Sequence, residues 1–101
     1  MKKTKSFMSN IIIFGIKYKI KYVNLLSDNY LGWFKPIEQE ILIEHTLKGD
    51  KRMKTLIHEI GHGVFHTTGL NQTSIGYDLQ EIIVENIAQA IVQNFDIKPK
   101  K

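Results

Sequence analysis

Residues 58 to 62 read His-Glu-Ile-Gly-His. Two histidines four apart on a helix are offset by about 40° and about 6 Å, so both imidazoles can address one small cation. The glutamate between them stands about 100° round from the first histidine. That position is poor for ligation but good for reaching a water beside the cation and taking its proton. Zinc suits such a pair, because it brings the pKa of a water towards about 7 and makes a hydroxide nucleophile accessible at neutral pH. His58 and His62 are therefore candidate zinc ligands and Glu59 a candidate general base. A chance match to this spacing in a chain of this composition has a probability of roughly one in a hundred.

A catalytic zinc usually takes three protein ligands and keeps one open position. His66 lies eight residues past His58, which is about 12 Å along a helix axis. An ion about 2 Å from each ligand cannot serve both, so His66 is expected to pack or hydrogen-bond beside the site. The final helix offers Glu81 and Glu85, on one stripe with Ala88 and Val92. That helix is apolar nearly all round and is expected to be largely buried. A carboxylate on it needs a partner. No Lys or Arg occurs between residues 55 and 97, which leaves a metal cation as the natural one. Glu85, with small Ala88 three residues on, is the preferred third ligand. Glu81 is the rival, as an alternative ligand or a supporting partner. Tyr77 and His66 are candidates to steady a developing oxyanion, although plain structural roles would also account for them.

These residues need an element to hold them. Asp50 can cap a helix from about Lys51 to Thr68, ending near Gly69. A polar loop over residues 69 to 77 leads to Asp78, which can cap a last helix from about Leu79 to Phe95. Upstream, Ile16, Tyr18, Ile20 and Tyr22 alternate with Lys17, Lys19 and Lys21, the period of a half-buried strand. Residues 24 to 29 form a loop in which Leu25 and Leu26 must find cover. Tyr30 to Lys35 and Glu40 to His45 read as two further strands joined in a hairpin, with Trp33 and Phe34 in the core. The expected fold is α+β: a small antiparallel sheet of about three strands, then two helices.

With 101 residues the chain fits one domain. Residues 11 to 97 form it, between a basic, poorly ordered stretch at 1 to 10 and a basic tail at 98 to 101. There is no cysteine, so disulfides and thiolate metal sites are excluded. The opening Met1-Lys2-Lys3 and the apolar run from Ile11 to Ile16 resemble the start of a signal peptide. The run lacks a small-residue cleavage site and Lys17 ends it early, so a cytoplasmic location is expected. No apolar run approaches the length of a membrane span, and no membrane partner is expected. The net charge is +4, but the lysines are scattered, which argues against a nucleic-acid binder.

His58-Glu59-Ile60-Gly61-His62, then His66, then Glu85-Asn86-Ile87-Ala88-Gln89, resembles the ImmA/IrrE type of zincin metallopeptidase and related small phage-encoded domains. The resemblance spans about residues 30 to 95, with Gln89 where that family usually has Asn. It implies a minimal zincin-like fold, His58, His62 and Glu85 as ligands of Zn2+, Glu59 as base, and a protein or peptide as substrate. It also implies that substrate adds as a strand to an edge beside the active helix, for which Glu40 to His45, next in sequence to that helix, is the candidate. Hydrolysis of a peptide bond is thus the expected activity. The alternative is a zinc-bearing interaction module without turnover, and the oligomeric state is left open.

Overall fold

A computed structural model of the chain describes residues 8–68 and 76–94. Within them the elements follow as β1 (Asn10–Ile13), β2 (Ile16–Val23), a short 3-10 turn (Leu26–Asp28), β3 (Gly32–Lys35), β4 (Glu40–Glu44), α1 (Gly49–Thr68) and α2 (Tyr77–Asn94). The fold is α+β, a four-stranded mixed sheet followed by two helices. Most of the expected polar loop, the basic tail and residues 1–7 lie outside the described residues.

The alternating stretch forms β2 as its period demands, with Tyr18 and Ile20 buried and Lys17, Lys19 and Lys21 exposed. Ile41 and Ile43 of β4 lie beside Ile20 and Tyr22 in register, and both isoleucines are fully buried. With Ile13, Leu47 and Leu56 they make the core between the sheet and α1. Removing either isoleucine side chain to Ala would cost about 2–5 kcal/mol. Helix α1 packs against β1, β3 and β4, and α2 packs chiefly on α1, so the order of layers is sheet, α1, α2.

Three expectations are corrected. There is a further strand, β1, pairing antiparallel with β2, and it begins at Asn10, inside the stretch expected to be unstructured. The sheet is not wholly antiparallel: its order is β1-β2-β4-β3, and β2 and β4 run parallel. The cause is the connection after β2, which crosses the end of β4 before β3 returns on the far side. Glu44 pins that crossing. Its carboxylate accepts the backbone N–H of Leu25 at 2.6 Å and of Leu26 at 2.9 Å, and the Thr46 hydroxyl at 2.8 Å. Burial pushes the Glu44 carboxyl up, but these hydrogen bonds outweigh it and hold the pKa at about 2. Leu25 finds the cover it needs, whereas Leu26 stays half exposed. The third correction is that Trp33 is exposed rather than core, because it points to the side of the sheet away from α1; Phe34 packs on the core.

Candidate metal centre

The motif stands in mid-helix on α1, so His58 and His62 share a face. Their Nε2 atoms are 3.2 Å apart. Across from them, on the first turns of α2, Glu81 sets Oε1 3.2 Å from Nε2 of His58 and Oε2 2.7 Å from Nε2 of His62. All three groups offer a ligand atom within 4.8 Å of the others. Two atoms bound to one tetrahedral zinc at about 2.1 Å stand about 3.4 Å apart. The 3.2 Å separation of the two Nε2 atoms is close to that, and the 2.7 Å contact from Glu81 Oε2 to His62 is a shorter, hydrogen-bonded one, so the donor types and their convergence suit a small cation.

Glu85 is elsewhere. Its Oε1 lies 3.0 Å from Nδ1 of His58, on the far side of the ring from Glu81, and its Oε2 lies 2.7 Å from the Lys54 ammonium. The Lys54 hydrogen bond, and after it the contact with His58, lower the Glu85 pKa. Glu81, not Glu85, is thus the carboxylate that converges with the two Nε2 atoms, in contrast to the preference for Glu85. The elimination that supported it assumed a buried carboxylate with no basic partner. In fact the Glu85 side chain is 47% exposed, and Lys54 lies one residue outside the acidic stretch. Its detectable signal was spacing: Lys54 is four residues before His58, on the same helix face.

Helix α2 itself is less buried than its composition suggested. Gln80, Val84 and Ala88 face inward, while Leu79, Ile82 and Ile87 are exposed. The close approach of the two helices depends on Gly61, since a Cβ there would lie 2.8 Å from a methyl of Val84. Gly61, the second of the two variable positions of the motif, thus lets α2 bring Glu81 within reach of the histidines.

Glu59 is buried, 7% exposed. Burial raises its pKa to about 8, the negative charge of Glu81 adds to that, and the Phe34 backbone N–H partly offsets it. The carboxylate lies against β3: a Cβ on Gly32 would stand 2.8 Å from Oε2 of Glu59. His62 has its pKa lowered, first by burial, which favours the neutral ring a cation needs. Tyr77 stacks on His62, ring centroids 6.4 Å apart and planes 5° from parallel. Its hydroxyl donates to Glu81, which raises the Tyr77 pKa. His66 does not join the three converging groups; it meets Phe34 edge-on at 5.8 Å.

An open cleft of about 1060 Å³ runs over these groups, walled by β3 on one side and by Tyr77, Glu81 and Glu85 on the other. The candidate strand for substrate is corrected here too. Strand β4 is interior, paired on both sides, and β3 is the edge beside α1. Nearness in sequence misled, because the β3–β4 hairpin folds its first strand outward. No helix of the described residues is long and apolar enough to cross a membrane. In comparisons with protein-family models, curated proteins and solved structures, nothing matches this chain.

Proposed function

We propose that this chain is a zinc-dependent peptidase of the zincin kind, acting on a protein or peptide, with His58, His62 and Glu81 as the zinc ligands. The observation that carries this reading is the convergence of two imidazole nitrogens and one carboxylate within 4.8 Å, beside a buried glutamate and at the floor of an open cleft. The donor set, two nitrogens and one carboxylate, is one that catalytic zinc commonly uses. Zinc held there would supply Lewis acidity towards a water and towards the scissile carbonyl.

The remaining roles fall to the chain itself. Glu85, anchored by Lys54, accepts the Nδ1–H of His58, which fixes the tautomer and turns the Nε2 lone pair to the ligand position. Tyr77 holds Glu81 by its hydroxyl. Glu59 takes a proton from the attacking water and returns it to the leaving amine nitrogen. Its pKa of about 8 describes the chain alone; a nearby cation favours the carboxylate and lowers it into the range of a base at neutral pH. An extended substrate can pair along β3, the edge strand among the described residues, whose Phe34 N–H already donates to Glu59, and this would run its backbone past that carboxylate.

The test is Glu59→Gln, which keeps the shape and removes the base. Zinc binding should persist while zinc-dependent cleavage of a broad peptide library falls by about 10²-fold or more. Cleavage equal to wild type would exclude the role of Glu59. Absence of cleavage by zinc-loaded wild type would favour the interaction module without turnover.

A further inference from the structure

The hairpin of β1 and β2 lies at the edge of the sheet opposite the cleft, and nothing in the proposed chemistry uses it. Its turn is Phe14-Gly15, both at positive φ, 49° and 83°. Such a turn favours Asn or Gly, and a bulky side chain there carries backbone strain. Phe14 is nevertheless the residue at the tip, and it is 67% exposed. Ile12, on the sheet face away from α1, is 66% exposed, and Ile16 is 38% exposed. Lys17 pairs with Ile12 in register, and Lys19 and Lys21 follow on the same face. All three lysines are exposed; Lys21 is bound to Glu40 at 2.6 Å. No acidic residue precedes Asp28 in the sequence. The hairpin thus presents an apolar tip with a basic collar behind it, in which Lys17 lies nearest the tip and Glu40 stands beside Lys19 and Lys21.

We propose that the β1–β2 hairpin docks on an anionic lipid surface, with Phe14 and Ile12 entering the boundary between headgroups and acyl chains and Lys17 and Lys19 lying against the headgroups. Stable attachment to a membrane surface needs two signals, apolar insertion and charge, and both are present. A nucleic acid would engage the lysines and the ring of Phe14 but leave Ile12 and Ile16 in water, since these have no ring face for bases to stack on. A folded protein partner needs roughly 800 Å² per side for a stable interface, more than a hairpin tip offers; a lipid interface yields around a narrow tip. The sequence expectation of no membrane partner rested on the lack of a spanning segment, which surface docking does not require. The inference is independent of the metal centre.

The experiment is co-sedimentation of the full chain with vesicles of phosphatidylcholine alone or mixed with phosphatidylserine. Circular dichroism and thermal melts confirm the fold of each variant. Wild type should bind the mixed vesicles and release as salt is raised. Phe14→Asn, which suits the turn, should weaken binding by about tenfold or more, and Lys17→Gln with Lys19→Gln by about 30-fold. Should Phe14→Asn disturb the fold, Ile12→Thr serves in its place, since a β-branched residue keeps the strand. Equal binding to both vesicle types, unchanged binding in Phe14→Asn, or no binding at low salt would overturn the proposal. So would lysine-dependent retention of a single-stranded oligonucleotide under conditions where the vesicles are not bound.

Discussion

His58 is held on both sides of its ring: Nδ1 lies 3.0 Å from Glu85 and Nε2 lies 3.2 Å from Glu81. The two carboxylates, one helical turn apart on α2, therefore do different work, and their removal should have different consequences. Glu81→Ala should abolish stoichiometric zinc binding at micromolar protein. Glu85→Gln should keep one zinc per chain when metal is saturating, with affinity reduced by about 10–100-fold, the range for partners that orient a ligating histidine. Competition against a chromophoric chelator measures both. A greater loss in the Glu85 variant would return Glu85 to the ligand position.

Two buried carboxylates set opposite limits on the stability of the metal-free chain. Glu44 is depressed from an ordinary 4.5 to about 2. Its contribution is complete above the ordinary value and disappears as pH falls through about 2. Glu59 is raised from 4.5 to about 8. The unfolded chain releases that proton first, so stability falls as pH rises from 4.5 to about 8. Urea unfolding from about pH 2 to about pH 8 should show an acid loss below 4.5 from Glu44 and an alkaline loss above 4.5 from Glu59. Glu59→Gln should flatten the alkaline limb alone, and a pH profile unaltered by that change would mean that Glu59 does not drive it.

Helix α1 was legible in the sequence because its logic is local. The spacing of His58, Glu59 and His62 and the period-two pattern of β2 each declare their element without reference to the rest of the chain. What was not legible depended on distant pairing. The parallel run of β2 beside β4 is imposed by the crossing that Glu44 anchors, and no window of sequence contains both partners. Ile11 to Ile13 looked like part of a leader-like apolar run; opposite β2 it is a strand. The ordering of Glu81 and Glu85 turned on which face of α2 meets α1. An apolar composition all round did not reveal that Val84 and Ala88 define that face.

The contact between α1 and α2 at Gly61 should be sensitive to a single methyl. In Gly61→Ala the new Cβ would stand 2.8 Å from Val84 Cγ1 and 3.1 Å from Cγ2. Overpacking of this kind costs about 1–3 kcal/mol, against a gain in helix propensity of about 1 kcal/mol. The net effect should be destabilisation of up to about 2 kcal/mol, with weaker zinc binding because Glu81 is carried away on α2. Adding Val84→Ala should restore room. The double variant should then be more stable than the sum of the two single changes, which a double-mutant cycle by urea unfolding reads directly. Additive effects would show that the helices do not meet there.

Gly32 offers a way to test the proposed base separately from the proposed metal site. It lies on the edge strand β3, and a Cβ at that position would stand 2.8 Å from Oε2 of Glu59, 2.9 Å from its Cγ and 3.0 Å from Cγ2 of Thr55. The obstruction includes the stem of Glu59 as well as its tip, so the side chain cannot avoid it by turning the carboxylate alone. Glu59 must shift relative to His58 and His62. The atoms nearest to that Cβ belong to Glu59 and Thr55, not to His58 or His62, and the two histidines are held by carboxylates of α2. Gly32→Ala should therefore bind zinc with nearly unchanged affinity while kcat falls, and a misplacement near 1 Å can cost about 10²-fold. KM should change little if substrate pairs with backbone groups of β3 that remain in place. A parallel loss of zinc would mean that the strand supports the ligands as well. Full activity in Gly32→Ala would mean that the position of Glu59 beside β3 is not the one from which it works.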